Sequence, residues 1–328
     1  MLLGGIRSVS LMVAGLVLGL ASGCSMAQVP AYPAKSIQLV IGYPPGGGAD
    51  TLARLIAKGI AEATGQSAIV ENRPGASALL AMEKVAKAAP DGYTLLVMAS
   101  SSIMAQALNP RLPIDIERDL APLSTVAIQP IVLAVNSSLG VEGIREFIAL
   151  AKARPGSLNY GSSGIGGASH IAGELFNVMA DVKLFHVPFK GGGQSVTAAA
   201  AGDIQSVFTS ITSAKALMDA GKLKPLAVTS RTKSVLLPAV PSLNETALPG
   251  YESVVWYSVM GPAALGSALS AAINALMARV VNDPRMKQPF FNEGLEPLSS
   301  AIQELRSMIR AELVQGARII KVAGLKPE

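Results

Sequence analysis

Along the chain, short apolar runs alternate with stretches whose apolar residues recur every three or four positions. Ile37 to Tyr43 reads as a strand, Thr51 to Thr64 as a helix, Ala68 to Glu71 as a strand, Ala78 to Ala88 as a helix and Thr94 to Met98 as a strand. In the first helix Leu52, Leu55, Ile56 and Ile60 fall on one face, and Gly65 is placed to end it. This alternation predicts a parallel sheet covered by helices, an α/β architecture. A second series opens with the nearly continuous apolar strand Ile131 to Val135. Helix Glu142 to Ala153, strand Leu158 to Tyr160, helix Ala168 to Ala180 and strand Leu184 to Val187 follow, and the series continues through Val196 to Ala201, Ile204 to Phe208, Ala214 to Ala220 and Leu226 to Thr229. Val254 to Met260 is again strand-like, and the remainder is mostly helical, with Ile302, Leu305, Ile309, Leu313 and Ile320 as its last apolar stripe.

A helical tail alone makes a poor third domain. The economical arrangement returns it to the first α/β unit, with two strands crossing between lobes near residues 131 and 255. The expected organisation is therefore lobe 1 from residues 28–130 plus 256–328, and lobe 2 from residues 131–255. Each lobe is a mostly parallel sheet flanked by helices, and the ligand cleft lies between them, where strand ends and helix starts meet.

The first residues change the picture of where the chain works. Arg7 followed by the uncharged run Val9 to Ala21 reads as an export leader, too short for the roughly 20 apolar residues of a membrane span. Ser25-Met26-Ala27 fits a small-x-small cleavage site, which makes residues 1–27 the signal and the periplasm the expected location. A lipoprotein-like cut before Cys24 is the alternative. Cys24 is the only cysteine, so neither a disulfide nor a Cys-based metal site is expected in the folded part. With two histidines in 328 residues a His-rich metal site is excluded as well. The formal net charge of +5 is modest and spread out, and aromatic residues make up 4% of the chain, which argues against nucleic-acid binding.

The chemistry lies in the loops. Tyr43-Pro44-Pro45-Gly46-Gly47-Gly48-Ala49-Asp50 sits between a strand and an amphipathic helix, where glycines let backbone N–H groups approach a ligand and the helix start favours an anion. Asp50 reads as the helix N-cap. Gly161-Ser162-Ser163-Gly164-Ile165-Gly166-Gly167-Ala168-Ser169-His170 repeats the arrangement in the second series, with hydroxyls as added donors. Two such loops facing one another make an anion clamp. His170 and His186 read as structural. Lys190-Gly191-Gly192-Gly193 opens another helix, with Lys190 either near the cleft or solvated. Catalytic patterns fail letter by letter. There is no P-loop, Ser169 interrupts a dinucleotide pattern at Gly164-Ile165-Gly166-Gly167-Ala168, and Ile165 interrupts a nucleophile elbow. A nucleotide-dependent enzyme is the remote alternative; a non-catalytic binding protein without cofactor is the expectation.

These loops, together with Glu71-Asn72-Arg73-Pro74-Gly75-Ala76, Ala89-Pro90-Asp91-Gly92-Tyr93-Thr94-Leu95, His170-Ile171-Ala172-Gly173-Glu174-Leu175-Phe176, His186-Val187-Pro188-Phe189-Lys190-Gly191 and Ala220-Gly221-Lys222-Leu223-Lys224-Pro225-Leu226, resemble the periplasmic solute receptors of tripartite tricarboxylate transporters, the Bug family. The resemblance implies a two-lobed periplasmic-binding-protein fold, monomeric, that closes on an organic carboxylate and presents it to a membrane permease. A receptor that signals to a membrane partner is the alternative. It maps carboxylate binding onto Gly47, Gly48 and Ala49 and onto Ser162, Ser163 and Gly164, with ordered water helping. Tyr43, Asp50, Gly167, Ala168, Ser169 and Thr209 complete the expected ligand-binding set, and Tyr43 and Phe189 are candidates to pack against the ligand's body. Ile165, Gly167 and Ala168 stand where the family commonly has Asn, Thr and Ser, and Phe208-Thr209 where it often has Phe-Asp. These departures imply a less polar ligand and one without an amine.

Overall fold

The computed structural model describes residues 32–75, 78–108 and 112–323. The leader expected in residues 1–27, with Cys24, lies outside the described residues. Lys35–Glu328 forms one compact unit, and Met1–Ala34 a separate one of which only residues 32–34 are described.

Three parallel strands, β1 (Ile37–Ile41), β2 (Ala68–Asn72) and β3 (Thr94–Ala99), build one end of the sheet in the order β2-β1-β3. Helices α1 (Gly48–Thr64), α2 (Leu79–Ala86) and α3 (Ser101–Leu108) connect and extend them. In β1 Ile37, Leu39, Val40 and Ile41 are all buried, because helices cover both faces of a parallel sheet and leave no polar side to alternate with. After the short helix α4 (Ile116–Asp119), capped by the Asp115 carboxylate, comes β4 (Leu120–Asn136).

This 17-residue strand is longer than the pattern Ile131 to Val135 predicts. Pro122 and Pro130 hide its first half, because proline removes a ladder donor and argues against a strand interior. Its register against the later strand shifts twice, between Pro122 and Ser124 and between Thr125 and Ala127. From residue 131 onward β4 alternates cleanly: Ile131, Leu133 and Val135 enter one apolar core with Phe147, Tyr160, Phe176 and Phe208, whereas Val132 and Ala134 enter another with Val196, Val207 and Val228.

The second half of the chain continues with α5 (Ile144–Ala153), β5 (Asn159–Ser162), α6 (Ala168–Ala180), β6 (Phe185–Pro188), α7 (Gly192–Ala201), β7 (Ser206–Ser210), α8 (Ile211–Asp219) and β8 (Leu223–Val228). The strands at 159 and 185 start one residue later than the sequence pattern places them. Strands β6, β5 and β7 are mutually parallel, and β4 runs antiparallel to β7 and β8. The short helix α9 (Leu243–Thr246) precedes β9 (Val254–Pro262), which lies between β3 and β4 and pairs antiparallel with both. Helices α10 (Ser267–Val281) and α11 (Pro284–Asn292), the short strand β10 (Glu296–Pro297) and helix α12 (Ile302–Ala323) complete the described chain. Helix α10 packs back on α1, so closely that a Cβ on Gly59 would stand 2.4 Å from Val280 Cγ1. Among the described residues no helix is long and apolar enough to cross a membrane.

β4 passes from pairing with β9, up to Pro130, to pairing with β7 and β8, from Ile131. At that step sits Thr229, fully buried. Its N–H and hydroxyl both donate to the Ile131 carbonyl, at 2.9 and 3.0 Å, and the Ile131 N–H donates to Thr229 Oγ1 at 3.0 Å. The Thr229 carbonyl accepts from the Ser253 N–H at 3.0 Å, just before β9 begins. One threonine therefore ties both strands that run between the two halves of the sheet.

Thr229→Val keeps the shape, deletes both hydroxyl bonds and leaves the Ile131 N–H buried without an acceptor. The expected loss is about 1–3 kcal/mol, read as a lower denaturant midpoint at unchanged m-value. An unchanged midpoint would mean that the backbone bonds alone hold this junction.

Candidate functional site

Parallel strands end at one edge of a sheet, and each helix that follows begins there with N–H groups that the helix itself cannot satisfy. In the second half of the chain this happens three times side by side. α6 starts after β5 with Gly167 at the N-cap, α7 after β6 with Gly191 at the N-cap, and α8 after β7 with Ser210 at the N-cap. The Gly167 and Gly191 caps carry no side chain, so no side-chain oxygen caps these two helices, and Gly191 adopts φ +122, where a Cβ would strain the turn. Ser210 Oγ accepts from the Ser213 N–H at 3.3 Å.

All three helix starts border one cavity of about 240 Å³. Ser163, Ala168 and Ser169 come from the first of them, Gly192 from the second, Ser210 and Ser213 from the third. The floor is made by register partners of the long strands, Gln129 opposite Val255 and Ile131 opposite Ser210, and Thr209 completes the lining. Among the described residues no charged side chain lines it. Three helix N-termini, each equivalent to about half a positive charge, thus face a cavity whose other polar groups, among the described residues, are hydroxyls, an amide and the backbone. That arrangement favours an anion bound through backbone and hydroxyl donors. Ser163 Oγ pairs with Ser169 Oγ at 2.9 Å and Ser210 Oγ with Ser213 Oγ at 2.8 Å. Thr209 Oγ1 is different: it is buried, its residue 2% exposed, and it has no hydrogen-bond partner. Such an atom costs about 1–3 kcal/mol unless something fills its valence.

Of the ligand-binding residues expected from sequence, Ser163, Ala168, Ser169 and Thr209 line this cavity. Ser162 does not: it is fully buried and its Oγ pairs with His186 Nε2 at 2.7 Å and accepts from the Gly164 N–H at 3.1 Å, which shapes the loop. Gly164, at φ +133, and Gly167 form the turn itself, with the Gly167 N–H donating to the Gly164 carbonyl at 3.3 Å. Phe189 packs against an apolar core, Ile165 stands 71% exposed at the loop tip, and Lys190 is exposed; none of the three lines the cavity. Gln129, Ile131, Ser210, Ser213 and Val255 were not singled out from the sequence, and Gly192 only as part of a third glycine cluster.

The loop after β1 has the same construction on the other half of the sheet, but Tyr43, Gly47, Gly48, Ala49 and Asp50 do not line the cavity. Gly46 takes φ +83 and Gly47, not Asp50, is the N-cap of α1. Asp50 stands three residues further on. Its carboxylate reaches back to accept from the Gly46 N–H at 3.0 Å and is further held by Arg54 through two bonds of 2.9 and 3.0 Å and by Asn72 at 2.9 Å. The N-cap expectation failed because the helix starts three residues before the amphipathic pattern does. The Arg54 guanidinium holds the Asp50 carboxyl down at about 2, so it stays ionised and committed to the loop. The exposed Gly47 and Gly48 present backbone at the helix start, and Tyr43 Oη is fixed between Ser101 Oγ and Ser102 Oγ at 3.2 and 3.1 Å.

His170 occupies in α6 the place Asp50 occupies in α1, and its Nδ1 accepts from the Gly166 N–H at 3.0 Å. That bond leaves Nδ1 unprotonated. Its ring stacks on His186 at 4.0 Å between centroids, and His186 stacks in turn on Tyr160 at 4.9 Å. Burial pushes the His186 imidazole down to about 4, helped by its histidine neighbour, and burial lowers His170 as well. His170 thus holds the loop from within and His186, in β6, holds it through Ser162. Among the described residues no group of three or more His, Cys, Asp or Glu is placed to hold a metal ion.

An α/β fold of a mostly parallel sheet flanked by helices, with an anion-favouring cavity beside its long strands, is that of a solute-binding receptor of the periplasmic-binding-protein type. The family model of the tripartite tricarboxylate transporter family receptor matches residues 52–325, and the chain belongs to that family. Protein BugT of Bordetella pertussis is 29% identical, over 96% of this chain and 98% of its own length. Among solved structures, Rpa4515 of R. palustris with adipate is 31% identical with a TM-score of 0.71, covering 90% of this chain and 100% of that one. MatC (Rpa3494) of Rhodopseudomonas palustris with bound malate is 26% identical with a TM-score of 0.66, covering 88% of this chain and 100% of that one.

Because the folded protein holds His186 neutral, the unfolded chain binds a proton earlier as pH falls. Stability from this site is complete above the ordinary value of 6.5 and is lost as pH drops toward about 4. Thermal unfolding followed from pH 7.5 to 4 is expected to show that decline, and His186→Gln to flatten it. An equally steep decline in the variant would place the titration elsewhere.

Proposed function

We propose that this receptor captures a small organic carboxylate outside the cytoplasm and delivers it to a membrane permease of the tripartite tricarboxylate type. The observation that carries this reading is the meeting of three helix N-termini at one uncharged cavity. A carboxylate can accept several N–H and O–H donors there without a basic side chain. The cavity is small beside the roughly 300–1,000 Å³ of pockets for drug-sized ligands, which fits a metabolite of a few carbons. The adipate and malate complexes of two relatives support the same ligand class.

In this reading residues 28–130 with 256–328 form one lobe and 131–255 the other. The lobes close so that Gly47, Gly48 and Ala49 meet the ligand from the side opposite Ser163 and Ser169. Asp50 acts indirectly, by holding the Gly46 turn that presents those N–H groups. Residues 1–27 serve as the export signal.

A thermal-shift panel of carboxylates, sugars and nucleotides tests the ligand class. Carboxylates at about 100 times Kd should stabilise the protein by about 2.7 kcal/mol; stabilisation by sugars or nucleotides alone would overturn the reading. Gly48 is the first residue of α1, the helix position that tolerates proline best. Gly48→Pro therefore deletes one N–H donor without breaking the helix, and is expected to weaken binding about tenfold or more, measured by titration calorimetry. Unchanged affinity would remove the first loop from the site.

A further inference from the structure

We propose that Asn72 is a positioning residue for the first glycine loop: its side-chain amide ties both ends of residues 43–50 and so sets the aim of the N–H groups of Gly47, Gly48 and Ala49. The inference rests on the carboxylate reading above, in which those N–H groups meet the ligand, and adds what holds them in place.

Among the described residues, packing does not hold the glycines. A Cβ built on Gly46 or Gly48 would meet no atom within 4 Å, and one on Gly47 only the Pro44 carbonyl oxygen, at 3.7 Å. The path of the loop is therefore set at its ends. Asn72 is the last residue of β2 and stands opposite Ile41, the last of β1, so its side chain is level with the point where the chain enters the loop. Its Nδ2 donates to the Tyr43 carbonyl at 3.1 Å and to Asp50 Oδ1 at 2.9 Å. Both partners are acceptors, so the nitrogen end of the amide faces them and its two hydrogens serve one end of the loop each. The other Asp50 oxygen takes the Gly46 N–H at 3.0 Å, which carries the tie into the glycine run. Arg54 also holds Asp50, but its side chain is 56% exposed and it reaches only that end. Without Asn72 the Tyr43 carbonyl and the Asp50 carboxylate come loose from β2. The loop then spreads over other conformations, and apparent affinity falls with the fraction left in the binding geometry. Alternation along β2 turns Glu71 away from the loop, where it pairs with Lys84 of α2 and with Arg73 and accepts from Gln38.

The test is Asn72→Asp, which keeps the shape and replaces both donated hydrogens by a second carboxyl beside Asp50. Two carboxylates so close resist ionising together, so the pair holds a proton at a pH where a lone carboxyl has lost it. Protonated, the new carboxyl donates to Asp50 and restores one tie; ionised, it repels Asp50. The charged group of α1 beside the pair is Arg54, and the Tyr43 hydroxyl of the loop is held by Ser101 and Ser102. In the wild type Arg54 keeps Asp50 ionised throughout the range used. Affinity is measured by titration calorimetry on the full receptor at about pH 5.5 and about pH 8, with whichever of succinate, malate, adipate and benzoate binds the wild type most tightly. The wild type is expected to stay within about twofold, and Asn72→Asp to bind about tenfold or more weakly at the higher pH and to recover about threefold or more at the lower. Asn72→Ala, which adds no charge, should lose about tenfold at both. In the ligand-free variants the Gly46 amide should exchange with solvent about tenfold faster than in the wild type. Glu71→Gln, which loosens the other face of the strand end, should leave both exchange and affinity within about twofold. An Asn72→Asp loss that is equal at both pH values, an equal loss in Glu71→Gln, or wild-type affinity in Asn72→Ala would overturn the positioning role. If Asn72→Asp does not fold, Asn72→Ala and the Gly46 exchange decide. Should Gly48→Pro also leave affinity unchanged, the first loop is outside the site and its part in the reading above falls as well; should none of these acids bind, the carboxylate reading falls and takes this role with it.

Discussion

The backbone donors left open at the start of each helix are the constraint on which this structure turns. A parallel strand followed by a helix always places those donors at the same edge of the sheet. In the sheet order β7-β5-β6 three such edges fall next to one another. Two of the helices are capped by glycines that supply no side-chain oxygen, and the third by a serine whose hydroxyl is shared with Ser213. The chain thus concentrates positive partial charge at one place with, among the described residues, no lysine or arginine in the lining. The carboxylate we propose as ligand would be recognised there by direction as well as by charge, and would leave again without breaking a desolvated ion pair.

The second requirement is a scaffold that keeps this edge in register with the rest of the sheet. β4 meets it by belonging to both halves: its first part pairs with β9, its second with β7 and β8. Because its later residues divide between two apolar cores, the strand cannot slip by one position without turning both cores inside out. Thr229 joins Ile131 to the chain entering β9, and the floor of the cavity, Gln129 with Val255 and Ile131 with Ser210, lies directly at this junction.

The strand-to-helix loops were legible because glycine in such a turn has few other uses. The loops at 43–50 and 161–170 stand out for that reason, and the two histidines were assigned to structure by their positions alone. Other parts were not legible. Asp50 looks like a cap by residue type, yet the chain becomes helical at Gly48, and only the folded loop shows the carboxylate turned back toward the Gly46 N–H and locked by Arg54 and Asn72. Ser162 and Ser163 are adjacent and chemically identical; the first, at the end of β5, is buried against His186, and the second, just past the strand, lines the cavity. The first half of β4 was obscured by its prolines, which a local pattern reads as breaks and which the finished sheet accommodates with two register shifts.

The sequence by itself determined the elements, their α/β order and the two glycine loops, since hydrophobic period and glycine placement are local properties of the chain. Only the tertiary structure decided that a third helix start, at Gly192, and a fourth serine-rich one, at Ser210, stand beside the second loop, and that Gln129 and Val255 close the floor. Those residues are brought together by strand order, which depends on pairing between distant segments and leaves no trace in local periodicity. The same holds for Thr209. Its type can be read anywhere, but a hydroxyl that is buried, unpaired and set against two helix starts exists only once β7 has taken its place between β4 and β5.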